Sequence, residues 1–309
     1  MPEFPVMYGC LGVNNKVDPM DLLFDDKTGL MELSYGLNVD VELPSRLCSR
    51  KGTTLVTSGD IHSLYYPGKG RWGYYVLGGG MYRFGVTGVA AGIRNVTKNA
   101  WMSYADIGDV TFYTNGFETG YISREGVSYS WARPVGSPSP PDYADSSRVF
   151  DDPPVGTVLA EHNGRVYVAV RDTVFASELY WYAYFNLEEN RLPFDSNVQA
   201  MGSVTDGMYI SDESGVYYCK GDYLQEMQKI PLPPEFGPVI PGTMCKCDGK
   251  LVNDMYYGDG LIWVSKYQVC YGGPGGTYQD LSSEKLVLPE AVRGAACMYN
   301  KQYYFVLHQ

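Results

Sequence analysis

Apolar and polar residues alternate in short runs along most of the 309-residue chain, and tight-turn dipeptides separate the runs. Arg165-Val166-Tyr167-Val168-Ala169-Val170 follows Asn163-Gly164, and Met208-Tyr209-Ile210 follows Asp206-Gly207. Lys250-Leu251-Val252 follows Asp248-Gly249, and Leu261-Ile262-Trp263-Val264 follows Asp259-Gly260. A period of two broken by such turns marks antiparallel strands joined by hairpins, because Asn, Asp and Gly tolerate the positive φ of a type I′ turn. The same pattern predicts strands over 73–77, 81–84, 110–114, 120–123, 216–220, 267–271 and 302–307. No long helix is predicted, since segments such as 178–187 are crowded with aromatics that an amphipathic helix would not need.

The hairpins fall into groups that recur. Groups begin near His62, Met102, Val158, Val198, Gly242 and Gly294, a spacing of about 40 to 55 residues that matches four-stranded propeller blades. The pattern predicts an all-β chain, a β-propeller of about six blades closed by N- and C-terminal strands. The last group ends at Gln309 after two strands, so strands from 30–56 are expected to complete it and remove the exposed edge. The division expected is an N-terminal arm, 1–29, and a propeller domain, 30–309. Two proline-rich stretches, 135–155 and 231–241, read as connections between blades. The arm itself, with Asn14-Asn15, Asp18-Pro19 and Asp25-Asp26, reads equally as a frayed terminus or a docking arm.

Charge and chemistry narrow the function. With 24 Lys+Arg against 35 Asp+Glu the net charge is -11, a field that repels phosphate backbones and argues against general nucleic-acid binding. No apolar run approaches the roughly 18 residues of a bilayer span, and no secretory pattern opens the chain, so a soluble, unexported protein is expected. Seven Cys, mostly among apolar neighbours, read as free thiols of a reducing compartment. Cys245 and Cys247 would share one face of a strand, but His62, His162 and His308 are scattered, which disfavours zinc. Gly78-Gly79-Gly80 and the Gly-rich run 272–276 lack the Lys-Ser/Thr of a phosphate loop and read as turns. No G-x-S-x-G elbow occurs, and His162, beside a hairpin turn, is expected to be solvated. No cofactor, metal site or catalytic residue is expected, and the chain is read as a non-enzyme.

Ser211-Asp212-Glu213-Ser214-Gly215-Val216-Tyr217-Tyr218 is a degenerate version of the Asp-box turn of sialidase-like propellers, a structural turn in that family. It keeps a carbohydrate-active or carbohydrate-binding propeller, glycosidase or receptor-binding module, as the alternative. Tyrosine doublets such as Tyr65-Tyr66, Tyr74-Tyr75, Tyr217-Tyr218 and Tyr303-Tyr304 put one ring on each face of a strand. The inward set would pack between blades and the outward set would serve subunit contacts.

A resemblance gives these features a setting. Gly12-Val13-Asn14-Asn15, Asp18-Pro19, Tyr35-Gly36-Leu37-Asn38-Val39-Asp40-Val41 and Ser45-Arg46-Leu47-Cys48-Ser49-Arg50-Lys51-Gly52 lead to His62-Ser63-Leu64. Tyr113-Thr114-Asn115-Gly116-Phe117-Glu118 and Ser130-Trp131-Ala132 follow. Together they resemble the opening of virion structural proteins of tailed bacteriophages, with Leu47, Cys48 and Ala132 departing from that pattern. The resemblance is recognisable as motif over roughly the first 130 residues. It implies a β-propeller of the tail hub or nozzle type, or a head-to-tail connector component. Such a subunit forms a homo-oligomer, a hexameric ring, around the DNA exit channel and contacts other tail or portal and adaptor proteins. DNA would pass without specific binding during ejection, no membrane is involved, and the protein would reside in the virion after assembly in the host cytoplasm. Asn14, Asn15 and Asp18 are the expected assembly contacts.

Overall fold

In a computed structural model the described residues are 10–140 and 148–309, apart from 38, 44–45, 50–54, 56, 69–71, 86–87 and 89. The first elements among the described residues are β1 (Cys10–Val13), β2 (Phe24–Asp25) and β3 (Leu30–Leu33), which form one small sheet in the order β1-β3-β2. That sheet draws strands from both sides of residue 29. A separate hairpin follows, β4 (Val39–Leu43) with β5 (Arg46–Ser49).

Six sheets then succeed one another as antiparallel meanders. Blade one holds β6 (Ile61–Tyr65), β7 (Gly73–Leu77), β8 (Gly80–Phe84) and β9 (Ala90–Asn95). Blade two holds β10 (Ser103–Ile107), β11 (Val110–Thr114), β12 (Thr119–Ile122) and β13 (Ser128–Ser130). Blade three holds β14 (Val158–His162), β15 (Arg165–Val170), β16 (Thr173–Glu178), β17 (Trp181–Phe185) and β18 (Arg191–Pro193), the last also paired to β16. Blade four holds β19 (Val198–Val204), β20 (Gly207–Asp212), β21 (Val216–Lys220) and β22 (Gln228–Pro231). Blade five holds β23 (Cys245–Asp248), β24 (Asp259–Val264), β25 (Val269–Gly272) and β26 (Tyr278–Asp280). Blade six is the pair β27 (Arg293–Tyr299) and β28 (Gln302–His308). The fold is an all-β propeller, and each predicted group start lies within a few residues of a blade's first strand. Four short 3-10 turns are the helical elements among the described residues, and no helix there is long and apolar enough to cross a membrane.

Buried apolar clusters bind each blade to the next. Tyr74, Val76 and Met81 of blade one meet Tyr113 and Ile122 of blade two. Phe112 and Trp131 meet Val166, Val168 and Phe185 across the next seam. Tyr167 and Ala169 meet Met208 and Ile210, Tyr209 and Tyr218 meet Leu261 and Trp263, and Val264 and Tyr271 meet Tyr303 and Phe305. Each fully buried large side chain contributes about 1.5–3 kcal/mol, so these five seams hold the core. Hydroxyls stitch the same seams: Ser63 Oγ accepts from Met102 N at 2.9 Å and Ser103 Oγ from Leu159 N at 2.9 Å. Among the described residues no such cluster joins blade six to blade one.

The turns divide by physical cause. Asn163 (φ 45°) and Gly164 (φ 73°) make the predicted type I′ turn, as do Gly78 (φ 60°) and Gly79 (φ 90°). The other three predicted turns are shifted. Gly207 pairs with Val204, so the loop is Thr205-Asp206, and Gly260 lies inside β24 opposite Cys247. A Cβ on Gly207 would strike the Cys219 carbonyl and one on Gly260 the Tyr271 ring, so crowding by the next strand, not turn conformation, accounts for glycine there. Where the pattern predicts a strand over 250–252 after an Asp248-Gly249 turn, Gly249–Leu251 form a 3-10 turn capped by Asp248, which accepts from Lys250 N. The connection after blade two contains no strand over its described parts, and that after blade four carries only a 3-10 turn at Pro234–Phe236.

The N- and C-terminal regions do meet, by docking and not by strand addition among the described residues. Asn15 N donates to Lys285 O at 3.0 Å and Asn15 Nδ2 to Val287 O at 3.1 Å. Lys285 Nζ reaches Leu11 O at 3.1 Å and pairs with the buried Glu32 at 3.0 Å. The arm is thus clamped to the segment that leads into blade six. Among the described residues β28 has a strand partner on one side, and β4–β5 forms its own two-stranded sheet. Much of 44–56, expected to supply closing strands, lies outside the described residues.

Candidate functional site

Two places carry unsatisfied surface. The first is the outward face of blade six. Register puts Arg293, Ala295, Cys297 and Tyr299 on one face with His308, Val306, Tyr304 and Gln302 opposite them. Met298, Tyr303, Phe305 and Leu307, on the other face, pack on blade five. Tyr299 is 65% and Val306 72% exposed, and Ala295, Cys297 and His308 are exposed too. Seven-residue strands that expose Ala295, Cys297, Tyr299 and Val306 on one face and leave one edge unpaired among the described residues are unusual in a folded sheet.

The second place is a cleft of about 380 Å³ where the first strands of blades one and six approach the lead-in to blade two. Ile61, Trp101, Gly294, Ala295 and Val306 wall it, with Asp60, His62, Asn99, Arg293 and His308 as its polar groups. A bulge shapes it: the β6–β7 register slips between His62 and Tyr65, and Ser63 sits at φ 56°. This aims the Ser63 hydroxyl at both Met102 N and His62 Nδ1, 2.9 Å each, and holds the imidazole at the cleft floor. The His62 ring lies 5.1 Å from the Trp101 ring, tilted by 42°. Arg293 lays its guanidinium 4.5 Å from the centroid of the same indole. Burial lowers the His62 pKa, Arg293 lowers it further, and Asp60 opposes them. Burial also lowers the Arg293 pKa. Among the described residues the Arg293 side chain has neither an ion pair nor a hydrogen bond, and its guanidinium rests on the indole face.

The expected assembly residues are otherwise engaged within the chain. Asn14 is buried and its Nδ2 donates to Glu32 Oε2 at 2.9 Å. Asn15 bonds the backbone at Val287, and Asp18 Oδ1 caps the turn Pro19–Asp21 by accepting from Met20 N at 2.9 Å. His162, expected to be solvated, is 1% exposed. It ends the first strand of blade three, where blade four covers it, and its Nδ1 lies 2.8 Å from Ser203 Oγ. Its Nε2 faces the Gly221 backbone without a well-formed bond, and burial lowers its pKa. Cys245 and Cys247 join the blade five–blade six cluster on one face, and no three metal-ligating side chains converge among the described residues. Asp212 of the degenerate Asp box accepts from Ser214 N, Ser214 Oγ and Gly215 N, which makes it a turn former. The sequence gives no signal for Trp101 or Arg293 as site residues, and His308 enters there only as one of three scattered histidines; Arg293 and His308 pair across the β27–β28 hairpin, and the propeller ring brings Trp101 to them.

No protein-family model and no curated protein matches the chain. Solved structures do resemble it. The extracellular domain of BT4673 from B. thetaiotaomicron aligns with a TM-score of 0.52 and 11% identity over 84% of this chain and 34% of that one. Virginiamycin B lyase from Staphylococcus aureus aligns with a TM-score of 0.47 and 10% identity over 81% of this chain and 84% of that one. PorZ, a surface component of the type-IX secretion system of Porphyromonas gingivalis, gives 0.47 and 13% over 84% and 31%. The chain thus spans about a third of the length of BT4673's domain and of PorZ. At such identities the likeness concerns fold. One expectation is corrected: missing motifs predict a non-enzyme, whereas the solved structures that resemble the chain include virginiamycin B lyase, an enzyme.

Proposed function

We propose that this chain is a structural subunit of a tailed-bacteriophage tail, a hub, nozzle or head-to-tail connector component, that builds a ring around the DNA exit channel. The observation that supports this most is blade six. Its β28 edge, unpaired among the described residues, and its exposed Ala295, Cys297, Tyr299 and Val306 form a surface that a second polypeptide would cover. Strand edges join chains through main-chain hydrogen bonds, and a patch that meets a different patch on the next copy generates rings when the rotation closes. Exposed tyrosines elsewhere, such as Tyr66, Tyr180, Tyr257 and Tyr267, add amphipathic contact area. The net charge of -11 suits a conduit from which DNA slides free. The glycosidase alternative is weaker on geometry, because among the described residues Asp60 is the one carboxylate lining the cleft and glycoside hydrolysis uses two.

Native mass spectrometry and electron microscopy of the purified chain, alone and with neighbouring virion proteins, test the proposal. Rings or a defined complex are expected, and Tyr299→Glu with Val306→Lys should abolish them while the far-ultraviolet circular dichroism stays unchanged. A chain that stays monomeric with every virion partner, or assembly indifferent to both substitutions, would refute it.

A further inference from the structure

The cleft between blades six and one shares Ala295 and Val306 with the face proposed for assembly, but the inference it carries rests on Arg293 and Trp101. We infer that it is a binding site for a carboxylate carried on an apolar or aromatic body, with Arg293 as the anion-recognising residue and Trp101 as its platform. A half-buried guanidinium is normally matched by a carboxylate, because removing the charge from water is costly unless hydrogen bonds replace the lost hydration. Arg293 has no such match among the described residues. Asp60, on the rim, forms no ion pair with it; the field of Asp60 falls on His62 instead. Stacking on Trp101 at 4.5 Å fixes the plane of the guanidinium, and a fixed fork is what two-point recognition of a carboxylate requires.

The surroundings select the rest of the ligand. Ile61, Ala295, Val306 and the indole give the cleft apolar walls, which suit a hydrocarbon or aromatic body and disfavour a bare, strongly hydrated anion. The volume, about 380 Å³, admits a small aromatic acid or the last residue of a peptide. Burial and Arg293 favour the neutral form of His62 while Asp60 opposes them, so Arg293 is the cation that the cleft offers to an anion. Asn99 and His308 lie at the rim, where they can meet polar groups beside the carboxylate. The shared chemistry has two sources, a free small acid or the C-terminus of a neighbouring chain.

Calorimetric titration of the intact protein with two matched pairs decides the matter. Phenylacetate against phenylacetamide probes a free acid, and N-acetylphenylalanine against its amide probes a peptide terminus. At least one acid should bind about tenfold or more tightly than its amide, and Arg293→Gln should remove that preference. The pair that shows the preference identifies the source. Trp101→Phe should weaken binding of the same acid, and both variants alter part-exposed side chains, so unchanged thermal melts verify the fold. Equal binding of acid and amide in both pairs, an acid preference that survives in Arg293→Gln, or no binding of either acid at about 10 mM would overturn the assignment. So would inorganic phosphate binding as tightly as the better acid, which would leave a general anion site.

Discussion

Thr114 offers the sharpest test of how the blades are joined. Its side chain is fully buried at the end of β11. The hydroxyl donates to Gly156 O at 2.6 Å and accepts from Gly156 N at 3.2 Å, so one side chain satisfies both backbone groups of the residue that leads into blade three. Gly156 O has a second donor in Gly116 N at 2.7 Å; its N–H has no other partner among those described. Thr114→Val keeps the shape and removes the hydroxyl. It orphans a buried N–H and removes one donor from a carbonyl that keeps another, at about 2–3 kcal/mol in total. Thr114→Ser keeps the hydroxyl and deletes a methyl, at about 1 kcal/mol with its small cavity. The valine variant should therefore be the less stable by about 1–2 kcal/mol, although it is the more apolar. With a urea slope near 3 kcal/mol per molar the two midpoints should lie roughly half a molar apart. Parallel urea titrations followed by tryptophan fluorescence and circular dichroism measure this, and hydrogen exchange at Gly156 should quicken in the valine variant alone. If valine is as stable as serine, hydrophobic packing and not the hydroxyl latch holds this seam.

Three further outcomes are expected. His62 and His162 both have pKa values lowered by burial from 6.5; the unfolded chain takes up these protons first, so their contribution is fully present above about pH 6.5 and is lost as pH falls through the folded values. The urea midpoint should therefore drop between pH 7 and about 5, before the buried carboxylates titrate, and His162→Gln should flatten that slope. Trp263→Phe removes the 2.8 Å bond from Nε1 to Phe236 O and part of a fully buried ring; a loss of about 2–4 kcal/mol in a urea titration is expected, and one below about 1 kcal/mol would contradict the packing described. Lys285→Met separates Glu32 and Leu11 O from their cation, so limited proteolysis should cut within 15–29 faster than in the parent while the propeller fragment survives.

Much of the fold was legible because a two-residue period and a blade-length repeat are local properties. The six group starts anticipated the first strands of all six blades, and 73–77, 110–114, 165–170 and 216–220 were read with their observed bounds. Errors came where one residue type serves two physical ends. Gly207 and Gly260 looked like turn glycines but make room for a neighbouring carbonyl and ring, a tertiary cause that leaves no local trace. His162 looked solvated because the turn beside it is exposed, whereas the strand's inner position places it under blade four. The cleft was illegible for the same reason: Asp60, Trp101 and Arg293 come from three segments, and nothing in the spacing of 60, 101 and 293 announces that a ring brings them together.

The five cored seams and the sixth without one have a mechanical consequence. Among the described residues five seams between consecutive blades hold a buried apolar cluster, whereas at the sixth a cation rests on an indole beside an open cleft. A joint with less buried apolar area costs less to part, so under load this clasp should yield before the other five.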